Sequence, residues 1–263
     1  MQIYLYRINV ILILVFSFIF IGCSEDNEDF PERIIEPEPL KYGTVSGRVV
    51  DANTSNPLSG SVVKLYGLEI KTEPDGLFAF QGIPYDVEQE LTVTDPDYQT
   101  NKQIITLSNE RLIVNVDLIP LIDTEEELNE FFDSFSELIE TIDSENIPAI
   151  QSHFSESYVA SDDPITMFGV LSGVIPPNYD TIRPTITELF MDYSWLEFSF
   201  KDKEMDIRDA RKGAVQLVLD VDSEGAEDKI LRHLQAHSLF ELRREGGDWK
   251  IVYWELLQLD IGA

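Results

Sequence analysis

The side chains best suited to proton transfer or metal binding are few: the chain has three histidines and one cysteine. His233 and His237 lie four residues apart in a segment of alternating apolar residues. On a strand they point to one face, about two pleats apart. A zinc site needs three or four convergent ligands, and only His153 remains to join them. Gln235, Glu241 and Arg243 share the same parity, which is also the pattern of a partly solvated strand face, so no metal or cofactor is expected. Asp192-Tyr193 stands where a helical pattern gives way to a strand pattern, and Tyr158, Asp162 and Asp163 stand in a loop-rich stretch. In an open pocket they would offer a carboxylate and a phenol for proton transfer; otherwise they are a helix end and a solvated loop. Trp195, Trp249, Tyr253 and Trp254 suit a ligand slot or an aromatic core alike. The candidate pocket is therefore Tyr158, Asp192, Tyr193, His233, His237 and Trp254. Asp220-x-Asp222-x-Glu224-Gly225 opens like a calcium loop, but Leu231 stands where the closing bidentate glutamate is required, leaving an acidic turn. No Ser-His-Asp spacing, phosphate-cradling glycine loop or cysteine-based site is visible, so no catalytic residue is assigned.

A formal charge of −30 repels phosphate backbones and anionic headgroups alike. Nucleic acid is therefore not an expected partner, and the charge serves solubility. The lone Cys23 excludes an internal disulfide. After Arg7, the run Ile8 to Ile21 is apolar except for Asn9 and Ser17. It is shorter than the roughly 20 residues that span a bilayer and matches the apolar region of a signal peptide. Phe20-Ile21-Gly22-Cys23 ends that run and resembles the lipobox of bacterial lipoproteins. The resemblance implies that residues 1–22 are a signal peptide and that Cys23 carries a lipid, making the membrane a partner through that anchor. Ser24 after the cysteine implies the outer membrane, and Glu25-Asp26-Asn27-Glu28-Asp29 resembles an acidic tract that directs such proteins to the cell surface. Residues 23–41, acidic and carrying Pro31, Pro37 and Pro39, read as an extended tether.

Behind the tether, residues 42–120 read as all-β. Expected strands cover residues 47–51, 62–66, 77–80, 91–94, 103–107 and 112–118, the last with Leu112, Val114, Val116 and Leu118 facing inward. Pro74-Asp75-Gly76 marks a turn. Gly47-x-Val49-x-Asp51, Asn56-Pro57-Leu58-x-Gly60-x-Val62 and Thr72-x-x-Asp75-Gly76-x-Phe78-x-Phe80 resemble the carboxypeptidase regulatory-like domain. That family implies a transthyretin-like sandwich serving as a spacer or binding module, without peptidase chemistry. Asp97-Tyr98 stands where the family commonly has Gly-Tyr.

Residues 122–263 read as α+β. Leu128, Phe131, Phe132, Phe135, Leu138, Ile139 and Ile142 form one helical stripe, with Thr124 and Glu127 as its capping box. A short helix after Ser144 and a third over 182–193, with Pro184 in its first turn, come next. Strands then cover residues 195–200, 204–207, 215–221, 233–243 and 249–259, joined by turns at Arg211-Lys212-Gly213 and Glu245 to Asp248. Helices first and an antiparallel sheet afterwards make an α+β domain. The order, with Gly247-Asp248-Trp249-Lys250-Ile251-Val252 near its end, resembles the nuclear-transport-factor-2-like (SnoaL-like, cystatin-like) superfamily. That resemblance implies helices wrapping a curved antiparallel sheet into a cone, a pocket in some members, and homodimers through the open sheet face in others. The expected whole is an all-β sandwich followed by an α+β cone, borne on a lipoprotein that binds a small ligand or a protein partner without catalysis. The alternative is an exported SnoaL-like isomerase, cyclase or hydrolase using an Asp or His in the cone.

Overall fold

Gly47 lies where two backbones approach too closely for a side chain. A Cβ there would stand 1.8 Å from the carbonyl oxygen of Val114 and 2.9 Å from the Phe78 ring. The computed structural model, which describes residues 40–158, 167–173, 176 and 178–261, places Gly47 in the middle of strand β1 (Tyr42–Asp51). β1 pairs antiparallel with β4 (Leu77–Pro84) on one side and parallel with β7 (Arg111–Ile113) and β8 (Val116–Leu118) on the other. A single strand over 112–118 is therefore corrected to two short ones. Between them the Val114 amide donates to Ser46 O and the Arg48 amide donates to Asn115 Oδ1, and the chain crowds against Gly47 at this break. Val116 and Leu118 still face inward, as alternation demands.

A second sheet runs β3-β2-β5-β6, from β2 (Val62–Leu65), β3 (Leu68–Lys71), β5 (Glu88–Thr94) and β6 (Asn101–Thr106). Strand β3 was not expected. It carries two apolar residues and pairs only with β2, through a turn whose Tyr66 and Gly67 both have positive φ. That is the geometry of a two-residue hairpin turn. Val45, Val49, Phe78, Phe80, Val116 and Leu118 from the first sheet share one core with Val63, Leu65, Leu91 and Val93 from the second. The two sheets thus close face to face.

Residues after Ile122 fold as four helices, α1 (Thr124–Glu140), α2 (Ile147–Ser152), α3 (Met167–Ser172) and α4 (Tyr179–Asp192), among the described residues. They precede an antiparallel meander, β9 (Tyr193–Asp209), β10 (Lys212–Gly225), β11 (Leu231–Glu245) and β12 (Asp248–Ile261), ordered β12-β11-β10-β9. This is the expected order of helices and sheet. The two strands expected over 195–207 are one long strand. It carries a bulge near Asp202, whose φ is positive, opposite the shift between Gln216 and Val218. Bulges of this kind bend and twist a sheet. The turn expected at Arg211-Lys212-Gly213 is Ala210-Arg211, with Gly213 inside β10.

Helix starts also depart from expectation. Asp123, not Thr124, caps α1, accepting from the Glu125 and Glu126 amides at 3.1 and 3.2 Å. A carboxylate satisfies these free amides and complements the helix dipole more strongly than a hydroxyl. Glu127, released from any capping role, accepts instead from Trp249 Nε1 at 3.0 Å. Asp143 rather than Ser144 caps the 3₁₀ turn ahead of α2. Helix α4 begins at Tyr179 behind Asn178, so Pro184 lies inside it rather than in its first turn.

Leu40–Ala263 forms one compact unit. At the junction of its two cores, the buried Asp51 carboxylate ends β1. Its Oδ1 accepts the Asn53 and Thr54 amides at 2.8 and 2.9 Å, and its Oδ2 accepts Tyr98 OH at 2.8 Å. Tyr98 OH in turn accepts the Ala210 amide at 3.0 Å. Ala210, at the tip of the β9–β10 hairpin, is packed in the sandwich core.

We expect Gly47→Ala to cost on the order of 3 kcal/mol, because backbone on both sides must move to admit one methyl. Chemical denaturation checks this; an unchanged midpoint and slope would contradict the close approach.

Candidate functional site

The inner face of the four-stranded sheet is built from alternate residues of long strands, and aromatic side chains dominate it. Phe240 and Trp254, paired across β11 and β12, stack with ring centres 4.7 Å apart. Phe135 of α1 and Phe168 of α3 meet Trp254 edge-on at 6.5 and 5.0 Å, and Phe198 and Phe200 of β9 extend the cluster. Rings fill this face because β11 alternates Leu234, Ala236, Ser238, Phe240 and Leu242 inward, while α1 presents its apolar stripe opposite. Polar atoms buried on this side without a hydrogen-bond partner among the described residues include Tyr158 OH, Ser238 Oγ and Trp254 Nε1, with Ser223 Oγ further along the inward register of β10. Ser238 stands opposite Leu256 and Phe240 opposite Trp254, so Ser238 and Trp254 are diagonal neighbours. An indole nitrogen only donates, and a buried unpaired donor costs about 1–3 kcal/mol. Burial also holds the Tyr158 phenol well above its ordinary pKa, keeping the hydroxyl protonated.

Of the six residues picked from sequence, the structure brings Tyr158 and Trp254 into this buried layer. Asp192 and Tyr193 sit apart from it at the α4–β9 junction. They line an open cleft of about 340 Å³ with Asp228 and Arg232, and Tyr193 OH donates to Leu171 O at 3.0 Å. His233 and His237 do share a face, but it is the outer one. His233 Nδ1 lies 2.8 Å from Asp222 Oδ1, and His237 pairs opposite Val218 and Gln258, exposed. The six therefore occupy three places rather than one pocket. Asp162 and Asp163 lie outside the described residues. The acidic run is spoken for as well: Asp220 pairs with Lys201 at 2.5 Å and Gln235 at 2.6 Å, and Glu224 with Lys229 at 3.4 Å. Among the described residues no group of three or more His, Cys, Asp or Glu side chains is placed to hold a metal ion.

No family model matches the chain, and no curated protein sequence matches it significantly. Solved structures that are similar cover about half of it. One is provisionally assigned as an aromatic ring hydroxylase, from Novosphingobium aromaticivorans (15% identity, 53% of this chain and 93% of that one, TM-score 0.44). Another is a hexachlorocyclohexane dehydrochlorinase, LinA type 2 (10% identity, 53% and 89%, TM-score 0.42). A third is a nuclear transport factor 2 (NTF2-like) superfamily protein from Salmonella enterica serovar Typhimurium (10% identity, 53% and 92%, TM-score 0.40). At these identities and scores no activity passes from them to this chain.

Two features of the buried layer were not picked out from sequence. Ser238 had a signal, being the one polar residue between Leu234 and Leu242 in the inward register of β11. His153 had none, because its partial burial depends on packing between helices. Its ring lies 5.1 Å from Phe131 and 5.3 Å from Phe135, with Nδ1 2.9 Å from Ala149 O. Burial holds its pKa below the ordinary histidine value and Lys250 adds to this, while the Ala149 carbonyl and Asp248 oppose it.

The folded state therefore binds fewer protons here than the unfolded chain, whose histidine titrates near about 6.5. The stabilising contribution is complete above that pH, falls as pH drops toward the folded value, and is constant below it. We expect the stability difference between wild type and His153→Leu to shrink as pH falls from about 7 to about 5. A difference independent of pH, measured by denaturant titration, would contradict a half-buried imidazole held neutral by its surroundings.

Proposed function

We propose that the chain is an exported lipoprotein anchored through Cys23, with a carboxypeptidase regulatory-like sandwich carrying a non-catalytic binding module. In this reading the cone takes a compact apolar or aromatic ligand that bears a hydrogen-bond acceptor. The observation that carries the reading is the pairing of an aromatic inner face with the unpartnered Trp254 Nε1 and Ser238 Oγ. A ligand acceptor beside them would recover the cost of burying a donor unpaired, and ring faces around it supply apolar contact. Asp192, His233 and His237, picked out for acid–base work, lie elsewhere. Asp192 is on the rim, and His233 and His237 are exposed on the far side of the sheet, away from the apolar surface where a ligand would be enclosed. The lipid reading rests on Phe20-Ile21-Gly22-Cys23 at the end of a short apolar run. Two or more acyl chains, each CH₂ contributing about 0.8 kcal/mol when buried, hold a protein at a membrane as one chain does not.

Two measurements test the two halves of the proposal. Cys23→Ala is expected to lose fatty-acid labelling and to leave the membrane fraction; a variant that still sediments with membranes would end the anchoring idea. A thermal-shift screen of small aromatic ketones and phenols against residues 41–263 is expected to return binders. Trp254→Phe should weaken these by about 1 kcal/mol, several-fold in Kd, while His233→Ala leaves them unchanged. Turnover of such a compound, abolished by Asp192→Asn or His237→Ala, would replace the binding reading with the enzymatic one.

A further inference from the structure

We infer that the sandwich and the cone move as a single rigid body, so the sandwich is a mount that fixes the direction of the cone and not a free spacer. This holds whatever the cone binds. Domains joined by a modest polar interface ordinarily move relative to one another. Four sets of contacts oppose that here. The hairpin tip is buried in the other domain's core: Ala210 packs among the sandwich residues, and Ile122 touches both cores. Tyr98 OH, oriented by donating to Asp51 within the sandwich, accepts the Ala210 amide across the junction. The same Asp51 carboxylate shapes the turn from which Thr54 Oγ1 and Asn56 Nδ2 both donate to Arg208 O, at 2.9 and 2.8 Å.

Charge completes the junction. Arg211 of the hairpin lies 3.4 Å from Asp95 and 3.9 Å from Asp97. Arg244 of β11 lies 3.0 Å from Asp97 and 3.5 Å from Glu127 of α1. One sandwich aspartate thus meets arginines from two cone elements. Both arginines are largely shielded, so their pairing is screened less than that of exposed pairs. The connection between domains is held too: the Gln99 amide donates to Ile119 O and the Leu121 amide to Asp97 O, at 2.9 and 3.0 Å. Swinging the cone would take the Ala210 amide from Tyr98 OH and Arg208 O from Thr54 and Asn56 at once, which ties the contacts into a cooperative set.

Spin labels on the exposed positions Ile104 of the sandwich and Leu257 of the cone, each changed to Cys in full-length protein carrying Cys23→Ser, read this directly. One narrow interdomain distance is expected. Tyr98→Phe, which removes the shared hydroxyl, should broaden it and open residues 119–123 to protease. Should Tyr98→Phe fail to fold, the double variant Arg211→Ala/Arg244→Ala, altering only the outer part of the junction, is expected to broaden the distribution likewise. A broad or multiple distribution in the protein with an intact junction would overturn rigidity. A distribution left narrow by the folded variants would overturn the assignment of these contacts as its cause.

Discussion

One carboxylate carries more of this architecture than any other group. Asp51 is almost wholly removed from water, which costs several kcal/mol for an ionised side chain unless donors surround it. It finds three: two backbone amides on one oxygen and a phenol on the other. The amides force the chain to turn immediately after β1, and the phenol holds Tyr98 against the end of that strand. Each of those consequences then reaches into the second domain. The turn aims Thr54 and Asn56 at Arg208 O, and the tyrosine oxygen collects the Ala210 amide. The groups that satisfy one buried carboxylate are thereby the same ones that hold the second domain.

The cone is stabilised by other means. Its core is a continuous sheet of ring contacts running from Phe131 on α1 through Phe135 and Phe168 to Trp254 and Phe240. Such packing supports the middle of the long strands by ring contact, with ionic pairs on the outer face, as at Lys201 with Asp220 and His233 with Asp222, and at the margin where Arg244 meets Glu127 of α1. The division sets the chemistry available. His233 and His237 stand in water on one side of the sheet, with His153 packed against Phe131 and Phe135 on the other. On the other side, among rings, stand a hydroxyl and an indole with hydrogen-bonding capacity to spare.

Much of this was legible in the residues. The stripe on α1 is strict because one helix face meets a single broad core, and Leu128, Phe131, Phe132, Phe135 and Ile139 are all buried as their spacing implies. The long strands of the cone alternate cleanly because one face is apolar and the other wet. Features decided by a neighbour distant in sequence were not legible. The half-exposed edge strand at Leu68 shows no alternation of consequence, and the break at Val114 lies against Gly47, 67 residues earlier in the chain. Asp97-Tyr98, where the sandwich pattern commonly has Gly-Tyr, showed a departure but not its purpose. The purpose lies in Arg211, Arg244 and Ala210, more than a hundred residues downstream. The candidate pocket failed as a set for a related reason. Parity placed the two histidines together correctly, but parity alone does not say which face of a sheet is covered.

The claim that one buried junction makes two domains into one body can be read at a single amide. A backbone N–H in a two-residue hairpin turn at a surface exchanges with solvent readily, whereas one hydrogen-bonded inside a core exchanges only when the core opens. Native-state hydrogen exchange of Ala210 should therefore match the slowest amides of β1 and β10 and show the same dependence on denaturant. Exchange of Ala210 as fast as that of the Gly246-Gly247 turn would show that the hairpin tip is free of the sandwich, and the account would fail.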